Sequence, residues 1–248
     1  MEVLLSAEWA TYALMLLKHC GTLDLAEPAV MFIRHTARPE IKDIQGVSDI
    51  SASPEGLEAA RGFGAALPHG RYYRIYHGEA VRCTETAEAI VAGIKENGGE
   101  AELRGIPIFL EKHPHLDLPR SVERMMREGM RSWYANWVSG RYSPTEMEPS
   151  LDFAKRAAAE MLQSLGDALP KCFEIYVSHD TWTQALLFHW FGAWLDIDRI
   201  NPLEGFVFQL KQEKMAVHYR DQSREVDYPY WWEQVSVRRT AIHERKGK

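Results

Sequence analysis

The stretch AVMFIRH, residues 29–35, joins five consecutive apolar residues to an arginine and a histidine. An unbroken apolar run of this length is typical of a short strand that is buried on both faces of a sheet. The stretch FEIYVSH, residues 173–179, has a similar short-strand pattern late in the chain, interrupted by Glu174, and also ends on a histidine. We therefore predict two buried strands that present polar side chains at their carboxyl ends.

The segments around these two strands alternate between helical and strand patterns. Helices are predicted from Pro54 to about Leu67, Val81 to Lys95, Pro119 to about Val138, Leu151 to about Leu165, and Trp182 to Trp194. Further strands are predicted over Tyr72–Tyr76, over Ile106–Leu110, and in a hairpin of Phe206–Leu210 with Met215–Tyr219. This alternation is typical of a three-layer α/β/α sandwich around a mainly parallel central sheet. We predict one domain over residues 1–248, with a helical insertion at about 112–150.

The composition narrows the class of function. Lys and Arg number 29 against 35 Asp and Glu, and the net charge of −6 disfavours binding to nucleic acid or to an anionic membrane. No stretch approaches the ~20 apolar residues that span a bilayer. The three cysteines, Cys20, Cys83 and Cys172, are an odd number spread far apart, which is typical of a reducing compartment. We expect a cytoplasmic protein without nucleic-acid or membrane partners, for which a homodimer is possible.

Charged residues follow three of the predicted strands: Arg34, His35 and Arg38 after the first, Arg82 after the second, and His179 and Asp180 after the late one. Open α/β sheets bind ligands at the carboxyl ends of their strands, so we expect these side chains to converge. Clustered guanidinium groups need an anion to neutralise them, and their planar donors match phosphate oxygens. The pattern predicts a phosphate site in which a neutral imidazole attacks phosphorus and forms a phosphohistidine.

At these residues the sequence resembles the histidine phosphatase superfamily, which includes the phosphoglycerate mutases and the histidine acid phosphatases. The strand that runs into Arg34-His35 is similar to the one that ends in the family's Arg-His-Gly motif. The stretch SPEGL, residues 53–57, is similar to the family's T-P-x-G helix start, and RCTETA, residues 82–87, to its R-x-x-x-T-A segment. The stretch VSHD, residues 177–180, is similar to its late strand. The resemblance covers most of the chain and implies a phosphoglycerate mutase-like fold.

The resemblance also implies a role for each matching residue. It makes His35 the nucleophile, and it makes phosphate ligands of Arg34, Arg38, Arg82 and His179. Of these, Arg38 completes the pattern Arg-His-x-x-Arg of the acid-phosphatase branch. The resemblance implies no cofactor.

The acid that protonates the leaving group has several candidates. The dipeptide His179-Asp180 is similar to the His-Asp of the acid-phosphatase branch, in which the aspartate is the proton donor. In the mutase-like branch a glutamate after the middle strand has this role, and Glu111 follows that predicted strand. Glu79 and Asp117 are further candidates.

Two positions depart from the family pattern. Thr36 stands where glycine is usual, which adds a side chain where the backbone approaches phosphate closely. Pro39 falls one position early for the acid-phosphatase motif. We predict a phosphomonoester hydrolase for a small phosphorylated metabolite, with a phosphoglycerate-type mutase and a non-catalytic phosphate-binding protein as the alternatives.

Other motifs have simpler explanations. The stretch HPHLD, residues 113–117, imitates the His-x-His-x-Asp of zinc or iron hydrolases, but no histidine follows it, so we expect a polar rim and no metal. A metal hydrolase at His113 and His115 is the alternative. Cys83 beside Arg82 is expected to be a buried small residue rather than a reactive thiolate. The tryptophans, including Trp231 and Trp232, are expected in the core rather than against a ring-bearing substrate.

Overall fold

In the computed structural model, which describes residues 2–40, 47–111, 114–166, 171–194 and 199–232, seven strands form one sheet. In chain order they are β1 (Ala29–Arg34), β2 (Tyr72–His77), β3 (Glu100–Gly105), β4 (Cys172–Ser178), β5 (Gly205–Leu210), β6 (Lys214–Tyr219) and β7 (Gln222–Asp227). Their order in the sheet is β3-β2-β4-β1-β5-β6-β7.

Helices cover both faces of this sheet. They are α1 (Glu2–Ser6), α2 (Thr11–Cys20), α3 (Pro54–Ala65), α4 (Val81–Glu96), α5 (Ile108–Glu111), α6 (Leu118–Glu128), α7 (Met130–Val138), α8 (Ser150–Gly166) and α9 (Asp180–Phe191). One hydrophobic core joins α2, α3 and α4 to the sheet, and a second core joins α7, α8 and α9 to its other face. The predicted α/β/α architecture is therefore confirmed. None of the helices in the described ranges is long and apolar enough to cross a bilayer.

The two strands predicted to be buried are the central ones. Every residue of β1 and of β4 is buried, because helices cover both faces there. The strands pair in parallel, with Arg34 opposite Ser178, and β2 pairs in parallel with β4 on its other side, with His77 opposite Val177. Residues that follow these three strands therefore emerge next to one another at one edge of the sheet.

The prediction of a mainly parallel sheet is only half right. The pairs β3–β2, β2–β4 and β4–β1 are parallel, whereas β1–β5, β5–β6 and β6–β7 are antiparallel. Short loops at residues 211–213 and 220–221 join the last three strands, and such loops can connect only antiparallel neighbours. The hairpin of β5 and β6 was predicted, but β7, whose residues are mostly exposed and polar, was not.

Two predicted elements differ in the structure. The strand expected over Ile106–Leu110 is wrong, because most of these residues belong to the short helix α5. The strand in this part of the chain is β3, which comes earlier; it is an edge strand that is rich in charged residues and has no apolar run. The helix expected from Pro119 to Val138 is divided into α6 and α7 at Gly129, whose φ of 79° is outside the helical range. Both helices lie within the insertion predicted at about 112–150.

Candidate active site

His35 follows β1 directly and lies at the centre of a cluster of charged side chains. Its imidazole is buried, and Nδ1 lies 2.7 Å from the carbonyl oxygen of Thr36. Its other nitrogen, Nε2, lies 3.1 Å from Nε of Arg82. Burial and the positive charges of Arg34 and Arg82 hold the pKa of His35 well below its usual value. The imidazole is therefore neutral at pH 7.

Arg82 reaches His35 from the first turn of α4. Besides its contact with His35, it donates a hydrogen bond from Nη1 to the carbonyl oxygen of Val47 at 2.6 Å. Its own carbonyl oxygen accepts one from the hydroxyl of Thr86 at 2.6 Å, and that hydroxyl accepts the backbone N–H of Thr36 at 3.1 Å. The threonine of the R-x-x-x-T segment thus joins α4 to the residue that follows His35.

Arg34 and Asp180 meet where β1 and β4 end. Nη1 of Arg34 lies 3.9 Å from Oδ2 of Asp180 and donates a hydrogen bond to the carbonyl oxygen of Ile200. Asp180 is the first residue of α9, and its Oδ1 accepts the backbone N–H of Thr181 at 2.9 Å. The structure therefore places the first of the predicted acids beside the cationic cluster.

Arg38 lies close enough to the other guanidinium groups for their charges to affect its pKa. Burial, and then the charges of neighbouring arginines that include Arg82 and Arg34, lower the pKa of Arg38 to about 10. Nε of Arg38 and Nε of Arg34 are buried, and neither has a hydrogen-bond partner among the described residues. Buried cationic donors are stabilised only when an acceptor satisfies them. Both features fit a site for an anion.

His179 completes the cluster from the end of β4. Its ring lies edge-on to that of His35, with 5.5 Å between the ring centroids, and 4.9 Å from the ring of Trp182 on α9. Sγ of Cys83 lies 4.0 Å from Nε2 of His179. Cys83 is fully buried, and burial raises the pKa of its thiol to about 12, so it is a buried small residue and not a reactive thiolate.

Thr36, which replaces the usual glycine, has its side chain against α3. Its hydroxyl donates a hydrogen bond to the carbonyl oxygen of Gly56 at 2.7 Å. A Cβ at position 56 would lie 3.0 Å from Cγ2 of Thr36 and 2.4 Å from the carbonyl oxygen of Ala37. The absence of a side chain at Gly56 therefore makes room for the threonine beside the first turn of α3.

In the described part of the chain, the other candidate acids make no hydrogen bond or ion pair with this cluster. Glu111 at the end of α5 is exposed, as is Glu79. Asp117 caps α6 by accepting the backbone N–H of Arg120 at 3.2 Å.

His115, the second histidine of the motif in the insertion, has a structural role. Nδ1 of His115 lies 2.7 Å from the hydroxyl of Ser121, and its ring stacks on Trp133 at 5.5 Å. His113 lies outside the described residues. Within the described ranges, no three His, Cys, Asp or Glu side chains are grouped so that they could hold a metal ion.

Most of the tryptophans are core residues, as predicted. Trp231 and Trp232 are buried in the same core as Trp133, Trp137, Trp182 and Trp190. Trp194 is the clear exception, with 43% of its surface exposed.

Sequence reasoning did not identify Arg199. Nε of Arg199 lies 3.9 Å from Oδ2 of Asp180, the same oxygen that faces Arg34. It belongs to no motif and does not follow a predicted strand, so no local signal could have placed it there.

A family comparison agrees with this geometry. The family model of the histidine phosphatase superfamily, branch 1, matches residues 30–203, which is more than half of the chain and includes β1, β2, α4 and β4. The chain belongs to the histidine phosphatase superfamily. The matched model is that of branch 1. It gives no support to the acid-phosphatase branch, which the sequence analysis favoured because of Arg38 and Asp180.

Solved structures show the same fold. YhfR of Bacillus stearothermophilus is 17% identical, with a TM-score of 0.56 over 77% of this chain and 96% of its own. The phosphoserine phosphatase of Entamoeba histolytica, solved with 3-phosphoglyceric acid, is 15% identical, with a TM-score of 0.51 over 79% of this chain and 98% of its own. No curated protein matches the chain. Identities this low concern the fold alone, so the reaction has to be argued from the site.

Proposed function

We propose that this protein is a phosphomonoester hydrolase that transfers the phosphoryl group of a small phosphorylated metabolite first to His35 and then to water. The observation that carries this proposal is the state of the His35 imidazole. A carbonyl oxygen can only accept, so the contact with Thr36 places the ring hydrogen on Nδ1. Nε2 then holds the lone pair, which accepts from Arg82 in this structure and can attack phosphorus once Nε of Arg82 donates to a phosphate oxygen instead.

The guanidinium groups around His35 suit the charge of a transferring phosphoryl group. Arg34, Arg38 and Arg82 each donate a hydrogen bond to a backbone carbonyl oxygen, those of Ile200, Pro39 and Val47 respectively, which helps to hold the guanidinium groups beside His35. Preorganised donors of this kind stabilise the negative charge on the equatorial oxygens as the P–O bond breaks. His179 beside His35 adds a further donor.

Asp180 is the proposed acid, because it is the candidate carboxyl group that contacts the cluster. In the first step Nε2 of His35 bonds to phosphorus, the bond to the leaving oxygen breaks, and Asp180 gives its proton to that oxygen. In the second step Asp180 takes a proton from water, whose oxygen attacks the phosphohistidine and releases inorganic phosphate. The assignment of Glu111 is the competing one, since the matched family model is that of branch 1.

The position of the Thr36 side chain bears on whether the protein is catalytic. The Thr36 side chain bonds to the start of α3. The substitution of the usual glycine by Thr36, which suggested a non-catalytic phosphate-binding protein, is therefore a weaker argument for that alternative.

The three cysteines are free and buried, which supports the expected cytoplasmic location.

A panel of phosphomonoesters, assayed with and without a chelator, tests the proposal. We expect phosphate release that a chelator does not change, together with an acid-labile phosphoprotein. His35→Ala is expected to abolish both while the fold survives, and His69→Ala, at an exposed histidine of the α3–β2 loop, is the matched control. Substantial release by His35→Ala would refute the mechanism. Phosphoryl transfer back to substrate without net phosphate release would identify a mutase instead.

A further inference from the structure

The peptide group between Ile200 and Asn201 is held on both sides. Its carbonyl oxygen accepts a hydrogen bond from Nη1 of Arg34, and its N–H donates one to Oε2 of Glu204 at 2.7 Å. Because a peptide group is planar, the bond to Glu204 fixes the direction in which the carbonyl oxygen points. Arg34 therefore meets its acceptor in a position that Glu204 sets.

The bond to Ile200 restricts the orientation of the whole Arg34 guanidinium group. That group is rigid and planar, so a bond at one nitrogen limits where the other two can lie. Nε of Arg34 is buried and has no hydrogen-bond partner among the described residues. The carbonyl group of Ile200 thus helps to decide which way the N–H at this nitrogen faces.

The turn that carries this peptide group is strained. The backbone N–H of Glu204 donates to the carbonyl oxygen of Asn201 at 3.1 Å, which closes a four-residue turn. Leu203, inside the turn, is fully buried and has a φ of 57°, in the left-handed region that residues with side chains rarely adopt. Such a conformation persists only where the surrounding contacts impose it. The turn therefore depends on its contacts, among them those of the Glu204 carboxylate.

Glu204 is in turn oriented by Arg220, which lies between β6 and β7. Glu204 is almost fully buried, and its Oε1 accepts a hydrogen bond from Nε of Arg220 at 2.8 Å. The Arg220 guanidinium lies over the ring of Tyr12, 4.2 Å from its centroid, and the carbonyl oxygen of Arg220 accepts a hydrogen bond from Nε2 of His19 at 2.8 Å. Tyr12 and His19 both belong to α2. The first long helix of the chain thus holds the arginine that orients Glu204.

This support comes from parts of the chain that the family match does not include. The match covers residues 30–203, so Glu204, Arg220 and α2 all lie outside it. Glu204 and Arg220 carry opposite formal charges and pair with each other, so together they add no net charge beside the phosphate site. Their effect on the site is therefore one of position.

We propose that Glu204 and Arg220 are positioning residues for Arg34. Arg220 orients the Glu204 carboxylate, and Glu204 orients the peptide group that follows Ile200. That peptide group then holds the Arg34 guanidinium in the orientation that binds phosphate. The inference deepens the proposed function and rests on it in one respect, since it takes Arg34 as a phosphate ligand.

Binding of inorganic phosphate tests this inference without turnover. Calorimetry gives the Kd for the unmodified protein, for Glu204→Gln, for Arg34→Gln and for the double variant. Glutamine keeps the shape of glutamate, but its amide nitrogen cannot accept, so one of the two hydrogen bonds of Glu204 is lost. We expect Glu204→Gln to raise the Kd about three- to tenfold, as for residues of one hydrogen-bond network, and by less than about twofold in the Arg34→Gln background.

The direction of the change separates position from charge. Glu204→Gln removes a negative charge near the site, so Coulomb attraction alone predicts tighter binding of phosphate. A loss of affinity therefore has to come from orientation. Its disappearance in the Arg34→Gln background assigns that orientation to Arg34.

A second variant and a matched control complete the experiment. Arg220→Gln, which leaves the Glu204 carboxylate in place, is expected to raise the Kd about two- to fivefold, again only where Arg34 is present. Glu96→Gln, at an exposed ion pair with Arg61, should leave the Kd unchanged. If one of the two positioning variants does not fold, the other still decides the question.

The outcomes differ from those that test the proposed function. Equal weakening by Glu204→Gln with and without the Arg34 side chain would indicate a general loss of structure and would overturn the inference. Unchanged or tighter binding by Glu204→Gln would overturn it too, as would an unmodified protein that binds no phosphate. The expected coupling in a protein that hydrolyses no ester would instead remove the proposed hydrolysis and leave the positioning role intact.

Discussion

His35 owes its proposed reactivity to hydrogen bonds and charges that come from other parts of the chain. Its neighbour Thr36 supplies the carbonyl oxygen that sets the tautomer, but Arg82, which faces Nε2, is 47 residues away. Burial, and then the positive charges of the surrounding guanidinium groups, hold the pKa of His35 well below its usual value, so protonation of His35 should not limit the reaction near neutral pH. The motif therefore points to His35 as the proposed nucleophile, and the surroundings of the imidazole keep it in the neutral form that this role requires.

The acid can be assigned by comparing esters with poor and good leaving groups. Asp180→Asn is expected to lower kcat/KM for an alkyl phosphate by about 10²–10⁴-fold, because an alkoxide needs a proton as it leaves. For p-nitrophenyl phosphate the loss is expected to be about tenfold or less, since the phenolate leaves without one. kcat/KM reports the formation of the phosphohistidine, so water activation does not obscure the comparison.

The matched variant for this experiment is Glu111→Gln. Because Glu111 is exposed at the end of α5, we expect kcat/KM for both esters to stay within about twofold of the unmodified protein. The opposite pattern, in which Glu111→Gln shows the leaving-group dependence and Asp180→Asn does not, would assign the acid to Glu111.

At the scale of elements, the helices α3 and α4 lie unusually close together. A Cβ on Gly93 of α4 would be 1.9 Å from the carbonyl oxygen of Arg61 on α3, and a Cβ on Gly64 of α3 would be 2.2 Å from that of Ile90 on α4. The helices can therefore approach only because both positions lack side chains. Since α3 begins beside Thr36 and α4 begins beside Arg82, their separation also sets the geometry around His35.

Gly93→Ala is expected to destabilise the protein strongly. The added methyl group would meet backbone atoms, which cannot move aside as a flexible side chain can, and overpacking of this kind costs about 2–3 kcal/mol or more. The midpoint and slope of urea unfolding measure the change in the free energy of unfolding.

Gly21→Ala is the control for this substitution. Gly21 ends α2 with a φ of −68°, and the nearest atom to its added Cβ would be 3.4 Å away, so its effect should stay within about 0.5–1 kcal/mol of zero. If Gly93→Ala unfolds at the same urea concentration as Gly21→Ala, the close packing of α3 on α4 is incorrect.

For the whole molecule, stability is expected to fall as the pH falls below about 6.5, in part because of His189. This histidine lies on α9, within 2.9 Å of the hydroxyl of Ser150 on α8, and burial lowers its pKa to about 4. Between the unfolded pKa of about 6.5 and this native value, the unfolded chain binds a proton that the native protein does not. Acidification therefore favours the unfolded state.

The contribution of His189 can be isolated by substitution. A single proton accounts for at most about 1.4 kcal/mol of unfolding free energy per pH unit, and about 1 kcal/mol is expected for a partly exposed ring. His189→Gln should make the loss of stability between pH 6 and pH 5 shallower by this amount, as measured by urea unfolding at each pH. His69→Gln, at an exposed histidine, should leave the slope unchanged. Identical slopes for both variants would contradict the half-buried, neutral state of His189.

Patterns confined to a few neighbouring residues were enough to predict much of the fold and the chemical class of the candidate site. The run AVMFI and its continuation into Arg34 and His35 predicted a buried strand and its polar end, because burial on both faces of a sheet requires an unbroken apolar run. The helix start at Ser53 followed from local capping, and Ser53 accepts the backbone N–H of Gly56 as that pattern predicts. Segments without such a pattern, such as the charged edge strand β3, were missed.

Only the tertiary structure decided which side chains meet. The antiparallel half of the sheet, the approach of Asp180 to Arg34, and the position of Arg199 all depend on contacts between residues far apart in the chain. The spacing of residues in a sequence carries no information about such contacts unless a known motif records them. The amino-acid sequence by itself thus determined most of the strands and the residues that we propose as nucleophile and phosphate ligands, whereas the packing of the segment 199–204 brought Arg199 to Asp180. The physical reason is that secondary structure follows from local periodicity and capping, while electrostatic interactions follow from distance in space.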